Sequence, residues 1–394
     1  MPTDQATDTP HKDLRIESSV ECNQNEIGKI QMRCKCLVRL QRAHTEHSFG
    51  TGVSYRHATT IDILPDDVLL EIFVFIPSGA STRRSWLDFV YDDRNWHKLV
   101  HVCRRWRQLV FASPLRLDLQ LLCTCRTPLR KVLGYWPAFP LVIDCEYYRD
   151  GGNRHKFENI FAALQQRDRV RHIDINIRGS LFGELCAAMK KPSQTLTHLY
   201  LSCEDGDGPA IPSALLGGSA PRLHDIFISS VPIPSLPTFL CSACDLVKLR
   251  FDYVPQTSFP SPGAMVACLA TLTKLETIFI RFYSLIPHPD RVSPSHETRV
   301  ILPSVTSFSF EKGNTYLEDF VACIDAPRLN SINVTYSCYF DFRVAELSKF
   351  IGRSNLRPWH AKIRFGIGQP SFSLFHETNP NDSVIAIDIE SLQS

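Results

Sequence analysis

A six-residue pattern of apolar side chains recurs seven times between residues 170 and 334, and it constrains the fold more than any other feature of this 394-residue chain. The pattern is L-x-x-L-x-L, with Val, Ile or Phe also accepted at the apolar places. Its copies are VRHIDI (170–175), LTHLYL (196–201), LHDIFI (223–228), LVKLRF (246–251), LETIFI (275–280), VTSFSF (305–310) and LNSINV (329–334). The second apolar place recurs at intervals of 26, 27, 23, 29, 30 and 24 residues, which predicts a stack of similar units.

The template and its period are typical of leucine-rich repeats, in which each unit contributes one short strand and a return segment. No single unit buries its apolar side alone, so the units stack into a solenoid. Weaker copies extend the series at both ends: PLRLDLQL (114–121), FPLVIDCE (139–146), WHAKIRFG (359–366) and SVIAIDIE (383–390). We therefore predict an α/β fold in which residues 114–394 form a leucine-rich-repeat-like solenoid with a parallel sheet. A doubly wound α/β domain would need longer strands and phosphate-binding glycines, which this sequence lacks.

Composition argues against several classes of protein. The formal net charge of +2 gives no general attraction to nucleic acid or to an anionic membrane. No apolar run approaches the ~18–20 residues that a membrane-spanning helix needs, and the N-terminus has no apolar core of a secretory signal. Fourteen cysteines in such a chain predict reduced thiols in a cytoplasmic or nuclear protein.

Residues 1–60 are mostly polar, and we predict a loosely ordered N-terminal arm. One helical pattern interrupts it, IGKIQMRCKCLVRLQR (27–42), in which basic residues lie opposite an apolar stripe. Such a basic amphipathic helix is compatible with contact to a membrane surface or with a nuclear address. The simpler interpretation is a transient helix in a flexible arm.

Residues 61–113 carry two apolar helical patterns. The first, LPDDVLLEIFVFIP (64–77), is apolar almost all the way round, with Pro65 suited to its first turn and Asp66 and Asp67 suited to its positive end. The second, WHKLVHVCRRWRQLVFASP (96–114), has apolar residues at spacings of three and four. A unit of about 50 residues is marginal as an independent fold, so it gains stability by docking on something else.

This pair of segments resembles an F-box, the short helical motif of substrate receptors in SCF-type cullin–RING ubiquitin ligases, which is often followed by leucine-rich repeats. The resemblance rests on Leu-Pro, the apolar spacing behind it, and the later Val-Cys-Arg-Arg-Trp. It differs from a typical F-box in the insertion SGASTRRSWLDFVYDDRNWH (78–97) between the halves. The resemblance implies contact with a Skp-type adaptor subunit through Leu64, Pro65, Val68, Leu69, Ile72, Phe73, Leu99, Val102, Cys103, Trp106 and Leu109.

The repeats also predict a binding surface. Within each template, the position between the last two apolar residues points away from the core, and it is occupied in order by Asp174, Tyr200, Phe227, Arg250, Phe279, Ser309 and Asn333. Aromatic residues and arginine are enriched in protein-binding hot spots. We predict that Tyr200, Phe227, Arg250 and Phe279 form an exposed patch ~15 Å long that binds a protein substrate. The alternative is that outer loops or the C-terminal tail cover the two phenylalanines.

The remaining motifs are weak, and we predict no catalytic residue, metal site or cofactor. The pairs Cys34-x-Cys36 with His44-x-x-His47 do not have zinc-finger spacing. Cys241-x-x-Cys244 and Cys123-x-Cys125 are better explained by packing within repeats. Arg104, Arg105 and Arg107 are better explained as a solvated helix side than as a nucleic-acid site. No nucleophile elbow, phosphate loop or zinc-protease helix occurs, so an enzyme is not expected.

Two functions follow from the sequence. The first is a substrate-recognition adaptor of an SCF-type ubiquitin ligase, with the helical segment on a Skp-type adaptor and the repeats on an unknown protein substrate. The second is a leucine-rich-repeat binding scaffold with no ligase link. In that case the F-box-like helices cap the open end of the solenoid, which otherwise exposes its apolar side.

Overall fold

The computed structural model describes residues 63–74, 96–114, 116–117, 119–126, 129–135, 137–146, 157–206, 208–283, 299–335, 344–354, 360–366, 369–375 and 387–389. The predicted arm, including Cys34, Cys36, His44 and His47, lies outside these residues, as does most of the insertion. Within the described ranges, no helix is both long and apolar enough to cross a bilayer.

Three helices form the N-terminal unit: α1 Asp66–Val74, α2 Trp96–Val100 and α3 Arg104–Ala112. Helix α1 begins directly after Pro65, whose carbonyl oxygen accepts from Leu69 N at 3.1 Å. The pattern at 96–114 forms two helices instead of the single predicted one. The break occurs because Cys103 has an extended backbone (φ −157°, ψ 172°) and caps α3, its Sγ accepting from Trp106 N.

All seven template segments form β-strands. The fourteen strands are β1 Leu121–Cys123, β2 Leu141–Glu146, β3 Val170–Ile177, β4 His198–Cys203, β5 Asp225–Ser229, β6 Lys248–Val254, β7 Thr277–Phe282, β8 Val300–Ile301, β9 Ser307–Glu311, β10 Ile324–Asp325, β11 Ser331–Thr335, β12 His360–Gly366, β13 Gln369–Phe375 and β14 Ile387–Ile389. Twelve of them build one sheet, and β8 pairs with β10 in a separate small one.

Nine strands of the large sheet are parallel and follow chain order: β1, β2, β3, β4, β5, β6, β7, β9 and β11. The template positions are aligned across this sheet. The second apolar residues of neighbouring templates are register partners, from Ile173 opposite Leu199 to Phe308 opposite Ile332. The prediction of an α/β fold with a parallel sheet is therefore confirmed.

The C-terminal end of the sheet departs from the predicted parallel series. Strand β13 lies between β11 and β12 and is antiparallel to both, and β14 pairs parallel with β12. The weak template copy at 359–366 thus forms β12, but not as the direct neighbour of β11. A strand that the template search did not recognise takes that place, because a two-residue connection between β12 and β13 requires antiparallel pairing.

Helices occupy many of the return segments and cover one face of the sheet. They are α4 Leu129–Tyr135, α5 Phe157–Leu164, α6 Gly179–Ala188, α7 Phe239–Ser242, α8 Pro262–Leu269, α9 Asn314–Ala322 and α10 Ala345–Arg353. Both sets of side chains are buried in β2, but those of β7 and β9 alternate between buried and half-buried, so one face of the sheet lies in the core and the other faces away from it. We call the latter the open face.

The core of the N-terminal unit is continuous with the core under the sheet. Phe139, just before β2, is in ring contact with Trp96 of α2 (centroids 5.5 Å apart) and with Phe111 of α3 (5.8 Å). The three helices therefore pack against the β1–β2 end of the sheet.

Gly313 is required where the chain enters α9. Its φ is +96°, and a Cβ atom there would lie 2.5 Å from Phe282 Cδ2. We expect Gly313→Ala to lower the free energy of unfolding by about 2–4 kcal/mol, since a left-handed backbone and an overpacked ring are both unfavourable for alanine. Urea unfolding measures this. The matched control is Gly352→Ala in α10, where the added Cβ meets nothing within 4 Å. It should be neutral or stabilising, and a similar loss in both variants would contradict the prediction.

Candidate functional site

The open face carries the predicted patch in one straight row. Tyr200 is the register partner of Phe227, Phe227 of Arg250, and Arg250 of Phe279. We call these four residues the central row. Their adjacency follows from the template, because each occupies the same position of its strand and parallel neighbours lie ~4.8 Å apart.

Tyr200 does not have the predicted exposure. Only 8% of its surface is accessible, because the rings of His172 and Phe227 pack edge-on against it and the Arg250 guanidinium lies 5.6 Å from its ring centroid. Its hydroxyl donates to Asp225 Oδ2 at 3.0 Å. Burial, and then the negative charge of Asp225, raise the pKa of the Tyr200 phenol. The Tyr200 ring is therefore packed among its neighbours, and little of it is accessible.

Arg250 is held between aromatic rings and a carboxylate. Its guanidinium lies 5.4 Å from the Phe227 centroid, and Nη2 donates to Asp225 Oδ1 at 3.1 Å and Oδ2 at 3.3 Å. The Asp225 side chain is 10% exposed and that of Arg250 24% exposed. Asp225, Tyr200 and Arg250 thus form one hydrogen-bonded cluster, which we call the Asp225 cluster.

A second cationic cluster adjoins Phe279. The Arg281 guanidinium lies 5.3 Å from the Phe279 centroid and 4.9 Å from that of Tyr253. Its Nε is 3.3 Å from Asp252 Oδ1 and 2.7 Å from Glu311 Oε2. Burial raises the pKa of the Asp252 carboxyl, while Arg281 acts in the opposite direction. Arg250 and Arg281 are therefore each held in place by a carboxylate and by aromatic rings.

The aromatic surface that remains accessible is partly different from the predicted one. Phe227 and Phe279 are half-buried, whereas Tyr253 is 41% and Tyr283 70% exposed. Sequence reasoning missed both tyrosines because they follow the template. Tyr253 has a positive φ of 48° and sits where the register between β6 and β7 is interrupted. A bulge of this kind redirects a side chain and leaves no mark in a period-two pattern.

A groove of about 240 Å³ opens beside the central row. Its lining includes four carboxylates and three aromatic rings: Asp144, Glu146, Asp174, Asp252, Tyr200, Phe227 and Tyr253. Among the described residues that line it there is no lysine or arginine. Asp144 and Glu146 were not predicted, although Asp144 is the register partner of Asp174. The signal was available, since Asp144 holds the central-row position of the weak copy FPLVIDCE.

The predicted adaptor-binding residues fall into three groups. Those in the interior are Leu64, Leu69, Phe73, Leu99 and Trp106. Those half-buried against the core are Val68, Ile72, Cys103 and Leu109. Those exposed are Pro65 and Val102. The interior group packs within the chain, and in it the rings of Phe73 and Trp106 are in contact, with centroids 4.7 Å apart.

The exposed apolar surface of the N-terminal unit is formed mainly by residues at helix ends. Ile63 is 65% exposed, and Val74 and Val102 are each 51% exposed. Val102 reaches solvent because it lies in the turn between α2 and α3, outside either helix. Of these three residues, the resemblance to an F-box identified only Val102.

Two of the three predicted solvated arginines hold the helices together. Arg105 donates from Nε and Nη2 to Asp66 Oδ1 at 3.0 and 2.5 Å, and from Nη2 to Leu64 O. Arg107 Nε donates to Val100 O at 2.9 Å. Arg105 therefore links α3 to the start of α1.

Cys241 and Cys244 are both exposed, and the residues that the structure describes hold no group of His, Cys, Asp and Glu arranged for a metal ion.

Comparison with protein-family models, with curated proteins and with solved structures finds no match for this chain.

Proposed function

We propose that this chain is the substrate-recognition adaptor of an SCF-type cullin–RING ubiquitin ligase. The parallel strands are leucine-rich repeats of a solenoid, the helical unit is an F-box that binds a Skp-type adaptor, and the open face binds a protein substrate. The observation that carries the proposal is the central row, an in-register line of aromatic rings and arginine on the open face, in which Phe227 and Phe279 are half-buried. Such a chain performs no chemistry and acts by raising the local concentration of its substrate.

The distribution of exposed apolar side chains supports two separate interfaces. Among the described residues, six large apolar side chains are exposed: Ile63, Val74, Val102, Tyr253, Tyr283 and Ile301. The first three lie on the N-terminal unit, and the two tyrosines lie at the ends of β6 and β7, near the central row. We propose that the residues at the helix ends belong to one interface and the tyrosines to another.

The groove indicates the chemistry of the substrate. The carboxylates of Asp144, Glu146 and Asp174 favour cationic side chains through charge attraction. We propose that a substrate segment with Arg or Lys side chains lies along the open face, with its cations in the groove and its apolar side chains on Phe227 and Phe279.

The adaptor interface is tested with exposed residues only, so that the fold is preserved. We expect the full chain to bind a purified Skp-type adaptor, and Val74→Asp with Val102→Asp to weaken that binding about tenfold or more, since charge at the centre of an apolar interface is strongly unfavourable. Calorimetry or a quantitative pull-down measures the effect. Ile301→Asp is the matched control, because Ile301 is 64% exposed but lies in the separate β8–β10 sheet.

A second function is favoured by the continuous core between the helices and the sheet. Through Phe139, the N-terminal unit covers the β1–β2 end as a solenoid cap would. The chain would then be a protein-binding scaffold with no ligase link. Absence of adaptor binding by the wild-type chain would favour this scaffold and overturn the ligase proposal. Equal binding by the double variant and the control would instead place the adaptor interface elsewhere.

A further inference from the structure

Two cysteines meet in the interior at the first pair of strands. Cys125 follows β1, Cys145 lies in β2, and their Sγ atoms are 2.6 Å apart. Each residue is only 1% exposed. The last pair in the β1–β2 register is Cys123 with Ile143, and Cys125 and Cys145 each lie two residues further along the chain.

The two sulfur atoms are already in contact, and the segment that carries Cys125 directly follows the strand that pairs with β2. The turn that carries Cys125 is held independently, since Asn159 Nδ2 of α5 donates to Cys125 O at 3.1 Å. The adjacent Cys123 differs, because its Sγ contacts Leu121 O at 3.8 Å.

We propose that Cys125 and Cys145 are a disulfide-forming pair that fastens β1 to β2. One thiolate attacks a low-molecular-weight disulfide such as glutathione disulfide, which forms a mixed disulfide and releases one glutathione thiolate. The second cysteine attacks the protein sulfur of the mixed disulfide and releases the other glutathione. In the balance, two protein thiols are oxidised to one disulfide, and glutathione disulfide is reduced to two thiols.

The position of the pair gives the link a structural effect. Strand β1 has three residues, and in the described sheet it is an edge strand that pairs with β2 alone. It also follows the N-terminal unit in the chain. A bond from Cys125 to Cys145 therefore ties the segment behind the helices to the sheet. Because both thiols are buried, their oxidation requires local opening of this edge of the sheet, where β1 pairs with β2 alone.

The test uses the full chain in a buffer of reduced and oxidised glutathione, followed by blocking of free thiols, trypsin digestion and mass spectrometry. Cys123 and Cys125 fall in one tryptic peptide (117–126), and Cys145 falls in another (132–149). We expect these peptides to be linked in the wild type and in Cys123→Ala, and unlinked in Cys125→Ala. Cys123→Ala is the matched control, because it removes a buried thiol from the same peptide.

The melting temperature is a second measurement, independent of the peptide mapping. The oxidised wild type should melt at a higher temperature than the reduced protein, and this difference should disappear in Cys125→Ala. Cys241 and Cys268 also contact each other, so the link must be mapped as well as counted. A link found only between Cys241 and Cys268, loss of the 117–126 link in Cys123→Ala, or full alkylation of Cys125 and Cys145 after oxidation would each overturn the proposal. None of these outcomes depends on the proposed ligase function.

Discussion

Trp106→Ala is expected to lower the free energy of unfolding of the N-terminal unit by about 3–5 kcal/mol, the range for removal of a large buried aromatic side chain. Trp106 is 3% exposed and packs on Phe73, so its removal leaves a cavity between α1 and α3. Arg105 also joins these helices, through its hydrogen bonds to Asp66 and Leu64. Urea unfolding followed by tryptophan fluorescence and by circular dichroism measures the loss.

Two further variants test whether the loss of stability in Trp106→Ala comes from the lost packing of the ring. The Trp106 Nε1 atom is buried and has no hydrogen-bond partner among the described residues, so Trp106→Phe removes no hydrogen bond. It should cost about 1–2 kcal/mol, because the smaller ring leaves a smaller cavity. Val102→Ala, at an exposed position of the same unit, should change stability by less than about 0.5 kcal/mol. A loss of less than about 1 kcal/mol for Trp106→Ala would show that Trp106 is not a core residue.

Asp225→Ala is expected to lower the free energy of unfolding by about 2–4 kcal/mol, slightly below the usual range for breaking a buried ion pair, since Arg250 keeps some contact with water. The carboxylate accepts from both Tyr200 and Arg250, and its loss leaves a phenol and a guanidinium without this acceptor on the open face. The Arg250 guanidinium then loses its fixed position over Phe227. Binding to the open face should weaken along with stability.

An exposed pair of the same type is the matched control. Asp245 and Lys274 also join neighbouring strand–turn units, at 2.6 Å, but their side chains are 37% and 63% exposed. Asp245→Ala should lower the free energy of unfolding far less than Asp225→Ala, because solvent and side-chain entropy cancel most of the attraction between Asp245 and Lys274. Similar losses for Asp225→Ala and Asp245→Ala would mean that the Asp225 cluster contributes no more than a surface ion pair.

These expected losses of stability decide which residues are suitable for testing binding to the open face. Arg250 and Tyr200 belong to the Asp225 cluster, so their substitution changes the sheet as well as its surface. Phe279 and Tyr253 are better probes, since both are more accessible and lie beside Arg281 without accepting its hydrogen bonds. The same reasoning excludes Leu69, which is fully buried, as a probe of the Skp-type adaptor.

Much of the sheet was predictable because the information is local. Each template contains its own alternation of buried and open positions, so VRHIDI or LETIFI specifies a strand and its inward side chains without reference to distant residues. The recurrence of the copies at intervals of 23 to 30 residues then specifies parallel neighbours in chain order. The central row follows from these two facts alone, as does the placement of Asp144 beside Asp174.

Other features depended on contacts between distant residues. Tyr200 occupies an open position by pattern but is buried, because His172 and Phe227 from the two adjacent strands and Arg250 from the next strand pack around it. The apolar helix pair shows the same effect, since Leu69, Phe73 and Trp106 turn toward the chain's own interior, while Ile63, Val74 and Val102 keep the exposed surface.

The sequence by itself thus determined the repeating strands, their order and the residues of the central row, since periodic apolar patterns act within one unit or between adjacent units. Only the tertiary structure decided which of those residues are accessible, where the antiparallel strand β13 enters the sheet, and which thiols meet. Those outcomes depend on packing between side chains that are far apart in the chain, and no local pattern encodes such packing.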